Sequence, residues 1–324
     1  MVGLVECVPN FSDGRRPDVI DAIAGRVTAT AGVHLLDRTS DADHNRSVLT
    51  FAGPADSVTA AMESAVEEAI ARIDMNGHQG QHPRMGAVDV IPFVPLAGTT
   101  MDEAIELARD FGQHIAQRFD LPVFLYAKAA QRADRQVLAD IRRPQYEGLR
   151  ELIGEPGNAP DFGPARLHPT AGAVAVGARP FLIAWNINLE TRDLELAKNI
   201  ARRVRESSGG LPRVQAKGFE LEELGCVQVS MNLLDYSVTP LWLVWLTVNE
   251  LVAAEGVQAR ESELIGLCPL AALVAVADHA GVATDLPVED RITRAAGWLK
   301  MRDFEPSMAL ELRLAAAETG RITR

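Results

Sequence analysis

The chain runs twice through one order of elements, and this repetition constrains its fold more than any single motif. Apolar residues spaced at two and at 3.6 residues predict, in each half, strand, helix, strand, strand, helix, strand. The first half reads as a strand from Gly3 to Val8, a helix over 17–30, and strands at Val33–Leu36 and Arg46–Phe51 flanking a polar loop from Asp37 to Asn45. A helix over 55–73, capped by Asp56 or Ser57, and a strand over 87–94 complete it; a helix over 100–119 and a strand from Pro122 to Tyr126 extend it. The second half reads as a strand over 181–189, a helix over 191–206 and strands near 213–219 and 225–231. A helix from Ser237 or Thr239 to about 254 and a strand from Glu263 to Leu267 follow, with two more helices beyond Pro269. Each first strand leaves through an asparagine, Asn10 or Asn186, and each second helix begins near a Ser-Val-Thr triplet, at Ser57 and Ser237. The expected fold class is α/β (α+β): two related split β-α-β, ferredoxin-like subdomains with a substrate cleft or tunnel between them. The expected divisions are an N-terminal subdomain over 1–178, a C-terminal subdomain over 179–285 and a helical tail over 286–324. Residues 155–180, rich in Gly, Pro and small side chains, are expected to form the hinge and cleft wall.

Composition narrows the partners. A net charge of −12 argues against general binding to nucleic acid or to an anionic membrane, both of which need a basic surface. It leaves room for a local cationic pocket. Cys7, Cys226 and Cys268 lie in apolar runs without metal spacing, as expected of buried thiols in a reducing compartment. The opening run Met1–Pro9 carries Glu6 and no basic region, so no secretion signal is expected there, and polar residues break every apolar stretch short of bilayer length. A cytoplasmic location is the expectation.

Chemistry concentrates in Gly77-His78-Gln79-Gly80-Gln81-His82-Pro83-Arg84-Met85-Gly86, just before the apolar run 87–94. Gly and Pro rule out a continuous helix, so this is a loop fixed by a buried strand, where polar chemistry tends to sit. Histidine can accept and return a proton near neutral pH, which makes His82 a candidate general acid–base; a hydrogen-bonding bystander is the plainer alternative. His78 and His82 are four apart, as two ligands on one helix face would be. Gly80 and Pro83 spoil that helix, and Gln79 stands where a zinc protease has glutamate, so no metal is expected.

Several blocks resemble the formiminotransferase domain: Val5-Glu6-Cys7-Val8-Pro9-Asn10-Phe11-Ser12, Asn45-Arg46, Gln81-His82-Pro83-Arg84-Met85-Gly86-Ala87 and Ala159–Pro164. So do Gly177-Ala178-Arg179, Asn186–Leu189 and Val229–Asp235, collinear over roughly residues 3–285. The resemblance implies transfer of the formimidoyl group of N-formimidoyl-L-glutamate to nitrogen 5 of tetrahydrofolate, in histidine degradation. Tetrahydrofolate is then a co-substrate. It further implies two α/β subdomains with folate between them, a homodimer and, for a chain ending at Arg324, the stand-alone bacterial form. The family's catalytic histidine falls on His82. Its folate-contacting loop falls on Gly163, Pro164, Ala165, Arg166, Leu167, His168, Pro169, Thr170, Ala171 and Gly172.

The substrates bring carboxylates, which guanidinium groups bind through paired hydrogen bonds. Arg46 and Arg84 in the matched loops are the leading partners; Arg166 and Arg179 are further candidates, and Lys217 has weaker support. Asn45 and Gly86 share those loops, and Asn10, Asn188 and Asn232 follow or end strands, where turn formation is an equal reading. Animal members of the family carry aspartate at the position of Thr39, leaving Asp37, Asp41 or Asp43 to orient the histidine, or none. Formyl transfer between N-formylglutamate and tetrahydrofolate, a non-catalytic folate binder and a metal hydrolase are the alternatives. The binder would be expected to lack His82, and the hydrolase needs a third ligand.

Overall fold

The computed structural model describes residues 3–320, which fall into two compact units, one ending at Arg179 and one starting at Pro180. The first unit opens with β1 (Leu4–Cys7) and β2 (Asn10–Phe11), one strand interrupted at Pro9, which has no N–H for the ladder. Both segments pair with neighbours on either side, so this strand is central. Then come α1 (Pro17–Thr28), the hairpin of β3 (His34–Asp41) and β4 (Arg46–Pro54), α2 (Ala55–Arg72) and β5 (Val88–Pro95). The chain continues through α3 (Met101–Phe119), β6 (Val123–Ala127), α4 (Leu138–Arg142), α5 (Gln145–Leu152) and β7 (Val174–Ala178). In the sheet β3 pairs with β4, β4 with β1 and β2, and these with β5. β7 lies between β5 and β6, parallel to both.

Alternation along the strands builds a core on each face of this extension. Val123, Val174 and Val176 face the core with α1, α2 and α3, whereas Phe124, Tyr126, Ala173 and Ala175 face Leu149 and Ile153 at α5. The helix α3 is fixed by its ends and its stripe. Thr100 and Glu103 form a reciprocal capping box, worth about 1 kcal/mol. Ala104, Ala108, Phe111 and Ile115 line one buried face, and Phe111 meets Phe93 of β5 edge-on with centroids 5.3 Å apart.

The second unit contains β8 (Ile183–Leu189), α6 (Leu194–Val204), β9 (Val214–Leu221), β10 (Cys226–Leu233), α7 (Leu241–Ala253) and β11 (Ala259–Ile265). The sheet order is β11-β8-β10-β9, with every neighbouring pair antiparallel. That is the split β-α-β arrangement expected, and the first unit carries the same arrangement enlarged by β6 and β7. Next come α8 (Leu270–His279), α9 (Val288–Trp298) and α10 (Leu310–Glu318). They join the core under Trp185, whose ring lies 6.2 Å from that of Trp245.

Several expectations need correction. Asp37–Asp41 continues β3 as an edge strand paired on one side with β4; an edge leaves these polar side chains in water, so their polarity imitates a loop. Residues 155–180 are not simply a hinge, because β7 lies among them, paired between β5 and β6 of the first sheet. Neither Asp56 nor Ser57 caps α2, which starts after Pro54 without a side-chain cap. Among the described residues three helices, not two, follow Pro269.

Candidate active site

The segment carrying His82 joins α2 to β5 and is pinned at both ends. Met75 N–H donates to Thr170 O at 2.8 Å, and the Asn76 side chain donates to Pro169 O at 2.9 Å. At the far end Gly86 bridges to Gly172, and Ser12 Oγ donates to Gly86 O at 2.7 Å. The His82 loop and the 163–172 loop are therefore built against each other. The middle rests on the turn between β3 and β4. Gln81 N–H donates to Asp43 O at 3.2 Å, and Asn45 Nδ2 donates to Gln79 O at 2.8 Å. At Gly80 the loop passes so close that a Cβ would lie 2.4 Å from His44 O.

Within this loop the two histidines differ. Arg84 Nε donates to His78 Nδ1 at 3.2 Å, so Nδ1 is unprotonated and Nε2–H donates to Asn45 O at 3.1 Å. Both ring nitrogens of His78 are engaged, and burial holds its pKa below the ordinary value. Among the described residues no group of three or more His, Cys, Asp or Glu side chains is placed to hold a metal.

His82 is half-buried beside a cationic cluster. Burial, first, and then the charges of Arg46 and Arg142, with a further contribution from His44, lower its pKa to about 3; Asp41 opposes them. The imidazole is thus neutral at physiological pH and able to accept a proton. The His44 ring lies 6.5 Å from that of His82. Asp41 holds His44 through the backbone N–H and through Nδ1, both at 2.8 Å. Thr39 is exposed on β3, so Asp41 is the carboxylate whose field reaches His82.

The arginines sort themselves by partner. Arg84 is buried, and its Nη2 and Nη1 meet Glu147 Oε1 and Oε2 at 2.6 and 2.9 Å. It also donates to His78 O and Gln145, which commits it to holding the loop on α5. Arg166 pairs with Asp120 on the surface, and Arg179 hydrogen-bonds Tyr126. Arg46 differs: its Nε is shut off from solvent without a hydrogen-bond partner. Burial and the nearby Arg142 lower its pKa. Arg142, from α4, forms an ion pair with Asp89 of β5, while its own Nε is buried without a hydrogen-bond partner. Asp89 in turn accepts Met85 N–H at 2.9 Å. Sequence reasoning missed Arg142 and Asp89. The available signal was a lone carboxylate inside the buried run Val88–Pro95, which demands a cation.

The 163–172 loop begins at Asp161, which accepts Leu125 N–H at 2.7 Å and pairs with the buried Arg135. Gly163 and Gly172 have φ of +84° and +74°, and a Cβ on Gly172 would lie 2.5 Å from Met85 O. His168 Nδ1 accepts Ala171 N–H at 3.0 Å and so shapes the tip. A cleft of about 530 Å³ is lined by Ala165, Arg166, Leu167, His168 and Pro169 together with Asn76, Tyr146 and Arg150. Gly163, Pro164, Thr170 and Ala171 complete the loop beside it. The Arg150 guanidinium stacks on the Tyr146 ring at 4.9 Å and donates to Asn76.

The expected asparagines take other positions. The Asn45 amide is engaged at both ends, by Gln79 O and Gly14 N–H, at a left-handed φ of 49°. Asn10 lies in β2 between β4 and β5. Asn188 stands on β8 of the second unit, donating to Glu261 at 3.0 Å and accepting from Gln228 at 2.9 Å. In the same unit Asn232 pairs with Gln215 and Lys217 with Ser230 across β9 and β10.

Comparison with known proteins agrees with this architecture. Residues 4–179 match the formiminotransferase domain, N-terminal subdomain, and residues 184–300 match the formiminotransferase domain. The chain is 45% identical over 280 residues to glutamate formimidoyltransferase of Thermoplasma acidophilum, covering 86% of this chain and 92% of that protein. It is 42% identical over 279 residues to glutamate formimidoyltransferase of Streptococcus pyogenes serotype M1, covering 86% and 93%. It is 44% identical over 280 residues to formimidoyltransferase-cyclodeaminase of Rattus norvegicus, covering 85% of this chain and 52% of that protein. Both units, the His82 loop and the 163–172 loop lie inside the matched stretches, and the chain belongs to the formiminotransferase family.

Proposed function

We propose that this protein is a glutamate formimidoyltransferase that moves the formimidoyl group of N-formimidoyl-L-glutamate to nitrogen 5 of tetrahydrofolate, with His82 as general acid–base. The observation that carries the reading is a neutral, half-buried His82 beside the charges of Arg46 and Arg142, on a loop pinned to the 163–172 loop. A protonated amidine carbon is electrophilic. Nitrogen 5 attacks it and forms a C–N bond; the proton of that amine passes to His82. The tetrahedral intermediate then breaks its C–N bond to glutamate, and His82 returns the proton to the leaving amine. Holding both substrates together supplies much of the remaining rate enhancement. The step needs no Lewis acid, because the amidine carries its own charge, and no metal hydroxide, because water is not the nucleophile.

Folate is proposed to lie against Gly163–Gly172, where the cleft presents Arg150 and Arg166 to the carboxylates of its tail. The role in histidine degradation rests on the family resemblance. A homodimer is proposed from the resemblance alone, and a cytoplasmic location from the resemblance together with three buried free thiols. No helix among the described residues is long and apolar enough to cross a membrane. Purified protein mixed with N-formimidoyl-L-glutamate and tetrahydrofolate is expected to form 5-formimidoyltetrahydrofolate faster than it turns over N-formylglutamate. His82→Ala should lower kcat by about 10²–10⁴-fold while folinate binding is kept. Near-normal turnover in that variant would remove His82 from the mechanism; preference for the formyl donor would favour formyl transfer.

A further inference from the structure

We infer that Arg46 and Arg142 together bind one carboxylate of the glutamyl group donor, and that Arg142, rather than Arg84, is the second half of this clamp. The inference rests on the function proposed above and names the residues that recognise its donor.

Buried donors in folded proteins are nearly always paired, so unpaired ones ask what completes them. Arg46 Nε and Arg142 Nε are both closed to solvent and both lack an acceptor among the described residues. Each guanidinium acts on the charge of His82, so both lie within electrostatic reach of the proposed reacting centre. Two cations held near one another repel, and burial adds to that cost. The remaining charges do not cancel the pair. Asp89 engages Arg142 from behind and is itself fixed by Met85 N–H. Asp41 lies opposite Arg46 in the hairpin, but its carboxylate is turned to His44. On the loop itself, His78 has both ring nitrogens bonded and Arg84 is matched by Glu147. An incoming carboxylate would meet the guanidiniums of the clamp and offset their charge. It would thereby relieve the field that keeps His82 a weak base. The base then gains strength when the donor is bound.

The probe is L-glutamate, the product and a non-reacting carrier of the same carboxylates, titrated calorimetrically; folinate is titrated separately. Wild type is expected to bind L-glutamate, and the His82 Cε1 proton should titrate at higher pH once glutamate is saturating. Arg142→Met should weaken glutamate binding about 10–100-fold, the range for charge-assisted hydrogen bonds, and abolish the shift of His82. Folinate affinity should stay within about twofold, and Arg142→Lys should restore part of the loss. Because Arg142→Met leaves Asp89 buried alone, the double variant Asp89→Asn/Arg142→Met and the single variant Arg46→Gln are measured beside it. Loss of glutamate binding in these with folinate binding kept carries the inference even if the first variant fails to fold. Unchanged glutamate affinity in the folded variants, equal loss of glutamate and folinate, or a His82 titration indifferent to glutamate would overturn it. So would a wild type that does not bind glutamate. Glutamate bound through the two arginines in a protein that turns over no formimidoyl donor would refute the proposed activity and leave the clamp standing.

Discussion

Acid should destabilise this protein in part through His82, and replacing that one residue should remove the effect. The folded protein holds the His82 pKa near 3, chiefly by burial and then by Arg46 and Arg142, against an ordinary value of 6.5. Between these limits the unfolded chain binds a proton that the folded chain refuses, so stability rises with pH. The contribution is complete above pH 6.5 and is lost as pH falls toward 3. At 1.36 kcal/mol per pH unit the full gap corresponds to roughly 5 kcal/mol, and solvent screening of a partly open ring reduces this to about 2–3 kcal/mol. Urea unfolding of wild type and His82→Gln at pH 7 and pH 4.5 isolates the effect, since the other titrating groups are common to both. Wild type should lose about 1–2 kcal/mol more than the variant between the two pH values. Parallel stability curves, or a His82 Cε1 proton titrating near 6.5 in the free protein, would refute the reasoning.

Asp161→Asn should lower the unfolding free energy by about 3–5 kcal/mol, because it leaves the Arg135 guanidinium buried without its counter-charge; urea denaturation measures it. Extended dialysis against EDTA should leave formimidoyl transfer intact. Loss of activity restored by added zinc would replace the general-base role of His82 with metal ligation.

Much of the fold was legible because burial writes itself into strand and helix periods. The run Val88–Pro95 is buried almost throughout and reads as one apolar strand. Thr100 with Glu103 marks the start of α3 in the sequence as well as in the structure. The strand β7 was lost for the opposite reason. Val174-Ala-Val-Gly-Ala packs between two other strands with small side chains, and its Ala and Gly look like the Gly- and Pro-rich loop before it. The polar half of β3 was misread because an edge strand open to water need not alternate.

The site divides along the same line. His82 stands out as a candidate locally, through the glycines and prolines of its loop, whereas the 163–172 loop is marked as a candidate folate contact by the family resemblance. The anion partners do not stand out locally, because whether an arginine is free depends on what meets it from elsewhere in the chain. Arg84 sits two residues from His82, yet Glu147 takes its charge from 63 positions away. Arg142 lies 60 residues beyond His82 in a segment with little period, and α4 carries it back to where its charge acts on that histidine. One carboxylate in a buried strand, Asp89, holds it there. Proximity in sequence selects the arginine that holds the loop. Incomplete hydrogen bonding alone does not select the clamp, since Arg291, Arg302 and Arg313 share a buried, unpartnered Nε; Arg46 and Arg142 stand apart because their charges also act on His82.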